Sequence, residues 1–221
     1  PVTSPCSAEP VTISQTRLII NKGTLGGNGL FQYNPLPTSG GPTFNINSIT
    51  TTTPTGSTQG YGTSSNDVAL GSLASATYDL RETMPIIAYG TWNLESASCS
   101  TPGETSTPVT VNDNMIQGVR IFNGKTTTCE PVNRLKYTPT ITTVPTPSTG
   151  TVGTFASDEA TLAGGNSPTG NITFLLYPPS VPTCIGLASY FSSTPVTGNG
   201  NYYSGSVQVN APGTWHWKAE Y

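Results

Sequence analysis

Residues 17–22 read RLIINK, and this short β-rich stretch decides how the rest of the chain is interpreted. Two later segments continue the pattern: LFQYN around Phe31 and FNINSIT at residues 44–50 alternate apolar and polar residues. Such alternation is typical of strands with one buried face. Each segment is short and bounded by Gly, Pro, Asn or Ser. We therefore predict antiparallel sandwiches and not alternating strands and helices.

The chain divides into two blocks of predicted strands. After a Thr/Gly/Ser loop at 51–65, the first block continues through strands at 77–82, 91–98, 109–111, 118–122 and 126–132. Residues 138–150, TPTITTVPTPSTG, predict an extended, polyproline-like linker because they combine Thr and Pro without charge. The second block holds predicted strands near Val152 and at 160–162, 171–177, 189–196, 201–209 and 213–221. These are about six, whereas an immunoglobulin-like sandwich has about seven.

Composition supports an all-β protein. Of the 221 residues only 9% are charged, and Ser, Thr, Gly and Pro make up nearly half, which excludes helical bundles and coiled coils. The net charge of -3 excludes the basic patch that nucleic-acid binding needs. No apolar run approaches the ~20 residues of a membrane span, so we expect no membrane insertion.

Four cysteines and a single histidine leave little material for catalysis. The cysteines lack a CxxC spacing, so we expect no metal site and no cofactor. An even count in a Thr-rich chain is better explained by two disulfides formed in an oxidising compartment. We therefore predict that the protein is not an enzyme, beyond any reaction it performs on itself.

The second block resembles the Ig-like repeats of large bacterial surface proteins. The resemblance rests on ATLAGGNSPTGNITFLLY at 160–177, on Thr183-Cys184 and on GTWHWKAEY at 213–221. In such repeats a final strand of the form P-V-x-x-P-C-x-x-E-x-V-x-V follows, and its cysteine pairs with the earlier one. Here PVTSPCSAEPVTI stands instead at residues 1–13. The resemblance thus implies a last strand displaced to the N-terminus.

The first block resembles the prealbumin-like and Cna-B-type domains of surface adhesins and pilins. The matching pieces are IINK ending at Lys22, Y-x-L-x-E-T-x-P at 78–85, W-x-L-x-S-x-x-C at 92–99 and C-x-x-x-N at 129–133. Pro131, which interrupts the closing strand, and the long segment 34–65 depart from the pattern. The chain would comprise an N-terminal strand (1–14), a prealbumin-like domain (15–137), the linker (138–150) and an Ig-like domain without its last strand (151–221).

The Cna-B-type resemblance implies an intramolecular isopeptide bond. Lys22 would be the nucleophile, Asn133 the acceptor that loses ammonia, and Glu82 the proton shuttle, since burial favours the neutral amine. The bond would clamp the first strand to the last. The alternative is that Lys22 is a solvated lysine at a strand end and that Glu82 pairs with Arg81.

The same resemblances imply how the cysteines pair. Cys99 and Cys129 would join, closing a loop of 30 residues. Cys6 and Cys184 would then pair between neighbouring units, because the intervening domain separates them by far more than the ~4.4–6.8 Å that a disulfide allows between Cα atoms.

These expectations describe a structural unit of a surface fibre, whose partners are copies of itself joined head to tail by strand complementation. The chain would be either a separate subunit or one period of a tandem array. The alternative function is an adhesin module that binds a glycan or a host protein through the region 34–65, with Tyr33, Phe44 and Tyr61 exposed. Either role places the protein outside the cell or on its surface.

Overall fold

The computed structural model describes residues 14–55, 57–105 and 108–221. All regular structure in these ranges is β, which confirms the predicted all-β class. Within the same ranges no helix is long and apolar enough to cross a membrane. The predicted N-terminal strand, including Cys6, lies outside the described residues apart from Ser14.

The chain forms two compact units, the first reaching to Ile86 and including Trp92–Leu135, and the second comprising Ile87–Thr91 and Lys136–Tyr221. The strands that build the first unit are β1 (Arg17–Leu25), β2 (Leu30–Pro37), β3 (Ile49–Thr50), β4 (Gln59–Asp67), β5 (Ser75–Thr83), β6 (Gly90–Ser96), β7 (Cys99–Ser100), β8 (Thr110–Asn112), β9 (Met115–Phe122), β10 (Thr126–Cys129) and β11 (Val132–Tyr137).

Two sheets make up the first unit. One has the order β6-β11-β1-β10-β7, with β4 paired to the opposite edge of β1, and the other has the order β3-β2-β5-β9-β8. Strand β1 pairs in parallel with β10 through its first half and with β11 through its second half. Pro131 separates these two strands because it has no N–H to donate to the ladder. The first and last strands of the unit therefore lie side by side.

Alternation decides which side chains enter the core of this unit. In β1 the residues Leu18, Ile20 and Lys22 share one buried face, since successive side chains of a strand point to opposite sides. In β5 the buried face carries Leu80 and Glu82. A lysine and a glutamate are thus placed in the core by the same parity that buries their apolar neighbours.

Two sequence predictions for this unit are wrong. Residues 51–65 were expected to form a loop, but β4 begins at Gln59 and pairs with the whole of β1. Gly62 permits this, because a Cβ there would collide with the backbone of Thr50. The predicted strand at 44–50 shrinks to the two residues of β3.

The second unit consists of two smaller sheets. Its strands are β12 (Thr140–Thr146), β13 (Phe155–Ala163), β14 (Gly170–Tyr177), β15 (Tyr190–Val196), β16 (Gly200–Tyr203), β17 (Val207–Gln208) and β18 (His216–Glu220). One sheet has the order β12-β13-β16 with β17 also on β13, and the other has the order β15-β14-β18. Its buried core includes Leu162, Ile172 and Phe174.

The structure also corrects the predicted linker at 138–150. Residues 140–146 form β12, which pairs with β13 along its whole length. The β-branched run TITTV favours a strand, and an edge strand tolerates the following proline, Pro145. The strand predicted near Val152 is replaced by a turn.

Candidate functional site

Three side chains named from the sequence meet in the core of the first unit. Lys22 comes from β1, Asn133 from β11 beside it, and Glu82 from β5 in the facing sheet. Each is at most 1% exposed. The alternative in which Lys22 is solvated and Glu82 pairs with Arg81 is therefore wrong for this structure.

The three groups form a closed set of contacts. Lys22 Nζ lies 2.6 Å from Glu82 Oε1 and also donates a short hydrogen bond to Asn133 Oδ1. Asn133 Nδ2 donates to Glu82 Oε2 at 2.9 Å. One carboxylate thus contacts both the lysine amine and the asparagine amide nitrogen, through its two different oxygens.

Further residues hold Glu82 in place, and the sequence analysis did not assign them this role. The Tyr33 hydroxyl donates to Glu82 Oε1 at 2.8 Å, and Asn114 Nδ2 donates to the Glu82 backbone carbonyl at 2.7 Å. Lys22 Nζ also lies 4.8 Å from the centre of the Phe31 ring. The burial of Phe31 and Tyr33 could have been predicted from the sequence, because the two residues lie on the same face of β2.

Burial controls the ionisation of the site. It lowers the pKa of Lys22 to about 8, although the Glu82 carboxylate acts in the opposite direction. Burial also raises the pKa of Tyr33 well above its usual range, and the charge of Glu82 adds to that shift. Tyr33 therefore remains a neutral donor near neutral pH, while Lys22 has an appreciable fraction of neutral, nucleophilic amine.

This arrangement is suited to amide exchange between two side chains. The neutral Lys22 amine can attack Asn133 Cγ, and the carboxylate of Glu82 can move a proton from Nζ to Nδ2, the nitrogen that leaves. A buried ion pair is by itself an expensive way to stabilise a fold. Its place beside an amide of the neighbouring strand makes this exchange geometrically possible.

The pKa of Lys22 leads to a pH prediction for this reaction. Only the neutral amine attacks, so the rate of cross-linking should fall about tenfold per pH unit below about 8 and level off above it. Chain recovered unfolded from inclusion bodies, refolded at several pH values and followed by intact mass would measure the rate. A rate that does not change between pH 6 and pH 8 would contradict the proposed nucleophile.

The structure joins Cys99 and Cys129 in a disulfide, the pair that the family resemblance implies. Cys99 lies in β7 and Cys129 in β10, directly opposite each other. Cys184, in the second unit, is half-buried and forms no disulfide with any residue that the structure describes. Its predicted partner, Cys6, lies outside the described residues.

Two of the three aromatic rings that the adhesin interpretation expects to be exposed make contacts inside the protein instead. Tyr33 is buried against Glu82, and Phe44 packs edge-to-face on Tyr78 at 5.2 Å between ring centres. Of the three, Tyr61 alone is exposed. The region 34–65 therefore offers one exposed ring of the three, which is little for stacking against a ligand.

The second unit contains a buried acidic group with no partner among the described residues. Asp158 is 1% exposed, and neither carboxylate oxygen accepts a hydrogen bond there. Burial raises the pKa of Asp158 from 3.8 to about 6. The protonated acid is therefore favoured by folding.

The raised pKa of Asp158 predicts the direction of a pH effect. Its contribution to stability is complete below pH 3.8 and is lost as the pH rises through about 6, a change of roughly 3 kcal/mol for the second unit. Asp158→Asn should remove this slope. Unfolding by denaturant between pH 4 and pH 7, in a Trp92→Phe background so that Trp215 and Trp217 report, would measure it; an unchanged slope in Asp158→Asn would refute the assignment.

A family model described as a prealbumin-like fold domain, of the SpaA type, matches residues 18–135. The chain therefore belongs to this family, and the match covers the two sheets that carry Lys22, Glu82 and Asn133. Domains of this type are typical of pilins and other bacterial surface proteins. No curated protein and no solved structure matches the chain at a significant level.

Proposed function

We propose that this protein is an extracellular structural unit of a surface fibre, whose prealbumin-like domain is locked by an amide bond between Lys22 and Asn133. The observation that carries the proposal is the buried contact set of Lys22, Glu82 and Asn133. A cross-link has its greatest value in a protein that bears tension along its chain. Family membership supports the surface location.

The proposed reaction balances without an added reagent. The C–N bond between Asn133 Cγ and Nδ2 breaks, a new bond forms between Cγ and Lys22 Nζ, and one ammonia leaves. Glu82 accepts a proton from Nζ and returns one to the leaving nitrogen, so it is unchanged at the end. Each chain reacts once.

The position of the bond explains its proposed mechanical role. Strand β1 is the first of the domain and β11 the last, and the two run in parallel, with Thr24 opposite Asn133. Tension applied through the two ends of the domain would otherwise separate these strands from each other. A covalent link between them carries the load instead of the hydrogen bonds.

The proposed fibre consists of copies of this unit joined head to tail. In support, β12 and β18 of the second unit each pair with a single neighbour among the strands of the described residues, and Cys184 forms no disulfide with any described residue. A head-to-tail contact that is not self-complementary continues indefinitely and produces a filament.

Electron microscopy of the source cells tests this function. Antibody raised against the prealbumin-like domain and coupled to gold should label fibres on unpermeabilised cells, at regular intervals along each fibre. Label confined to the cell interior, or a surface label with no fibres beneath it, would contradict the proposal. Preabsorbing the antibody with the purified chain is the control.

A further inference from the structure

A cleft of about 430 Å³ lies within the second unit. One wall is formed by the end of β12, the turn that follows it and the start of β13, and the other by the segment from the end of β17 to β18. Small-molecule sites occupy a range of roughly 300–1,000 Å³. The cleft is therefore large enough to hold a small ligand.

Hydrogen bonds join the two walls of the cleft. The Gly153 N–H donates to the Val209 carbonyl at 2.8 Å, and the Val209 N–H donates to the Thr154 carbonyl at 2.9 Å. A third bond runs from Gln208 Nε2 to the Gly153 carbonyl at 3.0 Å. The shape of the cleft is thus set by the protein itself, as in most small-molecule sites.

Two of the three tryptophans of the chain line this cleft. Trp215 Nε1 donates to the Ala211 carbonyl at 3.1 Å, which fixes the orientation of its ring. The Trp217 ring packs edge-to-face on Tyr190, with 5.8 Å between the ring centres. Both tryptophans are half-buried, so they are held in place and still present ring surface to a ligand.

The lining of the cleft carries no charge. Among the described residues, those that line it include no Asp, Glu, Lys, Arg or His. Asp158, two residues along β13 from the lining residue Ala156, is itself buried and does not line the cleft. A charged ligand would lose water there without gaining an opposite charge, which is costly. The cleft therefore favours an uncharged ligand.

The polar side chains of the lining are all hydroxyls. They belong to Ser148, Thr149, Thr151, Thr154 and Thr214. None of these hydroxyls forms a hydrogen bond with another residue in the described part of the chain. A hydroxyl can donate one hydrogen bond and accept others. The lining therefore suits a ligand whose own polar groups both donate and accept.

We propose that the cleft of the second unit binds a neutral saccharide. The apolar C–H face of a sugar ring packs on Trp215 or Trp217, and the sugar hydroxyls exchange hydrogen bonds with the serine and threonine hydroxyls of the walls. This binding activity goes beyond the proposed fibre and does not depend on the Lys22–Asn133 bond.

A proline-rich peptide is the other ligand class that docks in aromatic grooves, and it fits this lining less well. Proline has no N–H, so such a peptide offers mainly carbonyl acceptors. The indole N–H of Trp215, which could have met one of these carbonyls, is already bonded to Ala211. A saccharide uses the wall hydroxyls both as donors and as acceptors, which favours it over the peptide.

Calorimetric titration of the whole chain with defined ligands tests the proposal. The probes are a panel of neutral trisaccharides built from glucose, galactose, mannose, N-acetylglucosamine or N-acetylgalactosamine. Trigalacturonic acid is the charged comparison and a proline decamer is the peptide comparison. We expect at least one neutral trisaccharide to bind at millimolar concentration or below, and neither comparison to bind.

Substitution of a cleft tryptophan locates the bound sugar. Trp215→Ala should weaken binding of the best trisaccharide at least about tenfold, because the ring surface for stacking is lost. The matched control is Phe191→Ala, which removes a ring of the same unit that is 65% exposed and lies outside the cleft. This control should leave the dissociation constant unchanged.

A second pair of variants removes a hydroxyl and keeps the shape of the side chain. Thr214→Val should weaken binding about twofold to tenfold, the effect of one lost hydrogen bond. Thr142→Val, on an exposed position of β12 outside the cleft, should have no effect. Circular dichroism checks that all four variants fold, and the Thr214→Val pair carries the test if Trp215→Ala does not.

Several results would overturn the proposed site. These are a panel in which no neutral trisaccharide binds, trigalacturonic acid that binds as tightly as the best neutral one, and equal dissociation constants for each variant and its control. Binding of the proline decamer that Trp215→Ala abolishes would assign the cleft to a peptide. A dimer of the unaltered chain that Trp215→Ala dissociates would assign it to a second copy. None of these results depends on the loss of ammonia in the first unit.

Discussion

Glu82→Gln is expected to keep the ammonia that the unaltered protein loses, so that its mass equals the one calculated from its own sequence, and to lower its free energy of unfolding by about 5 kcal/mol. The amide of glutamine has nearly the shape of the carboxylate but cannot accept the proton from Lys22 Nζ, so the reaction stops before ammonia is lost. The magnitude follows from loop closure: Lys22 and Asn133 are 111 residues apart, and a cross-link over such a loop restricts the unfolded chain strongly.

A second effect also lowers the free energy of unfolding of Glu82→Gln. Without the reaction, Lys22 remains a buried amine that has lost its carboxylate partner, and breaking a buried ion pair on one side is destabilising. Intact mass under reducing conditions and unfolding in guanidinium chloride would measure both effects on the same preparation.

The matched control for this variant is Glu95→Gln. Glu95 pairs with Arg134 at 2.8 Å, but both side chains are about half exposed, so the pair is worth little. This variant should weigh one ammonia less than its own sequence requires, as the unaltered protein does, and should keep the unfolding midpoint of the unaltered protein. A Glu82→Gln chain that weighs one ammonia less than its own sequence requires would remove Glu82 from the mechanism.

The second large effect is expected from the disulfide. Replacing both Cys99 and Cys129 with alanine should lower the free energy of unfolding by roughly 3–4 kcal/mol, because the bond closes a loop of 30 residues in the unfolded chain. Unfolding in denaturant, followed by the fluorescence of Trp92 in the same unit, would measure this loss.

Cys184→Ala is the control for the disulfide. Cys184 lies in the second unit and forms no disulfide within the described part of the chain, so this variant should unfold with the midpoint of the unaltered protein. Since the disulfide and the amide form by different chemistry, the double alanine variant should still lose ammonia. A destabilisation by Cys184→Ala as large as that of the double variant would contradict the account.

Most of the fold could be predicted from alternation and composition, and the errors have physical causes. Strand β4 was missed because QGYGTSS is rich in Gly and Ser, whose presence there reflects close approach of Thr50 and not strand propensity. Strand β12 was missed because Pro145 within it and the prolines just outside it suggest a linker, whereas an edge strand tolerates Pro145.

The site could be predicted in its three principal residues but not in its support. Lys22 and Glu82 each lie on the same side of their strand as the buried apolar residues before them. The alternation of side chains along a strand is therefore enough to place both in the core. Lys22 and Glu82 come into contact only because the two sheets pack face to face, and no local sequence pattern predicts that packing. Tyr33 was interpreted as an exposed ring of a binding surface, although its parity with Phe31 indicates burial.

Tandem mass spectrometry of the digested, reduced chain tests the central claim most directly. We expect one branched peptide in which the strand containing Lys22 is joined to the strand containing Asn133, lighter by one ammonia than the sum of the two, and absent from Glu82→Gln. Two separate linear peptides, with Lys22 and Asn133 both unmodified in correctly folded protein, would contradict it.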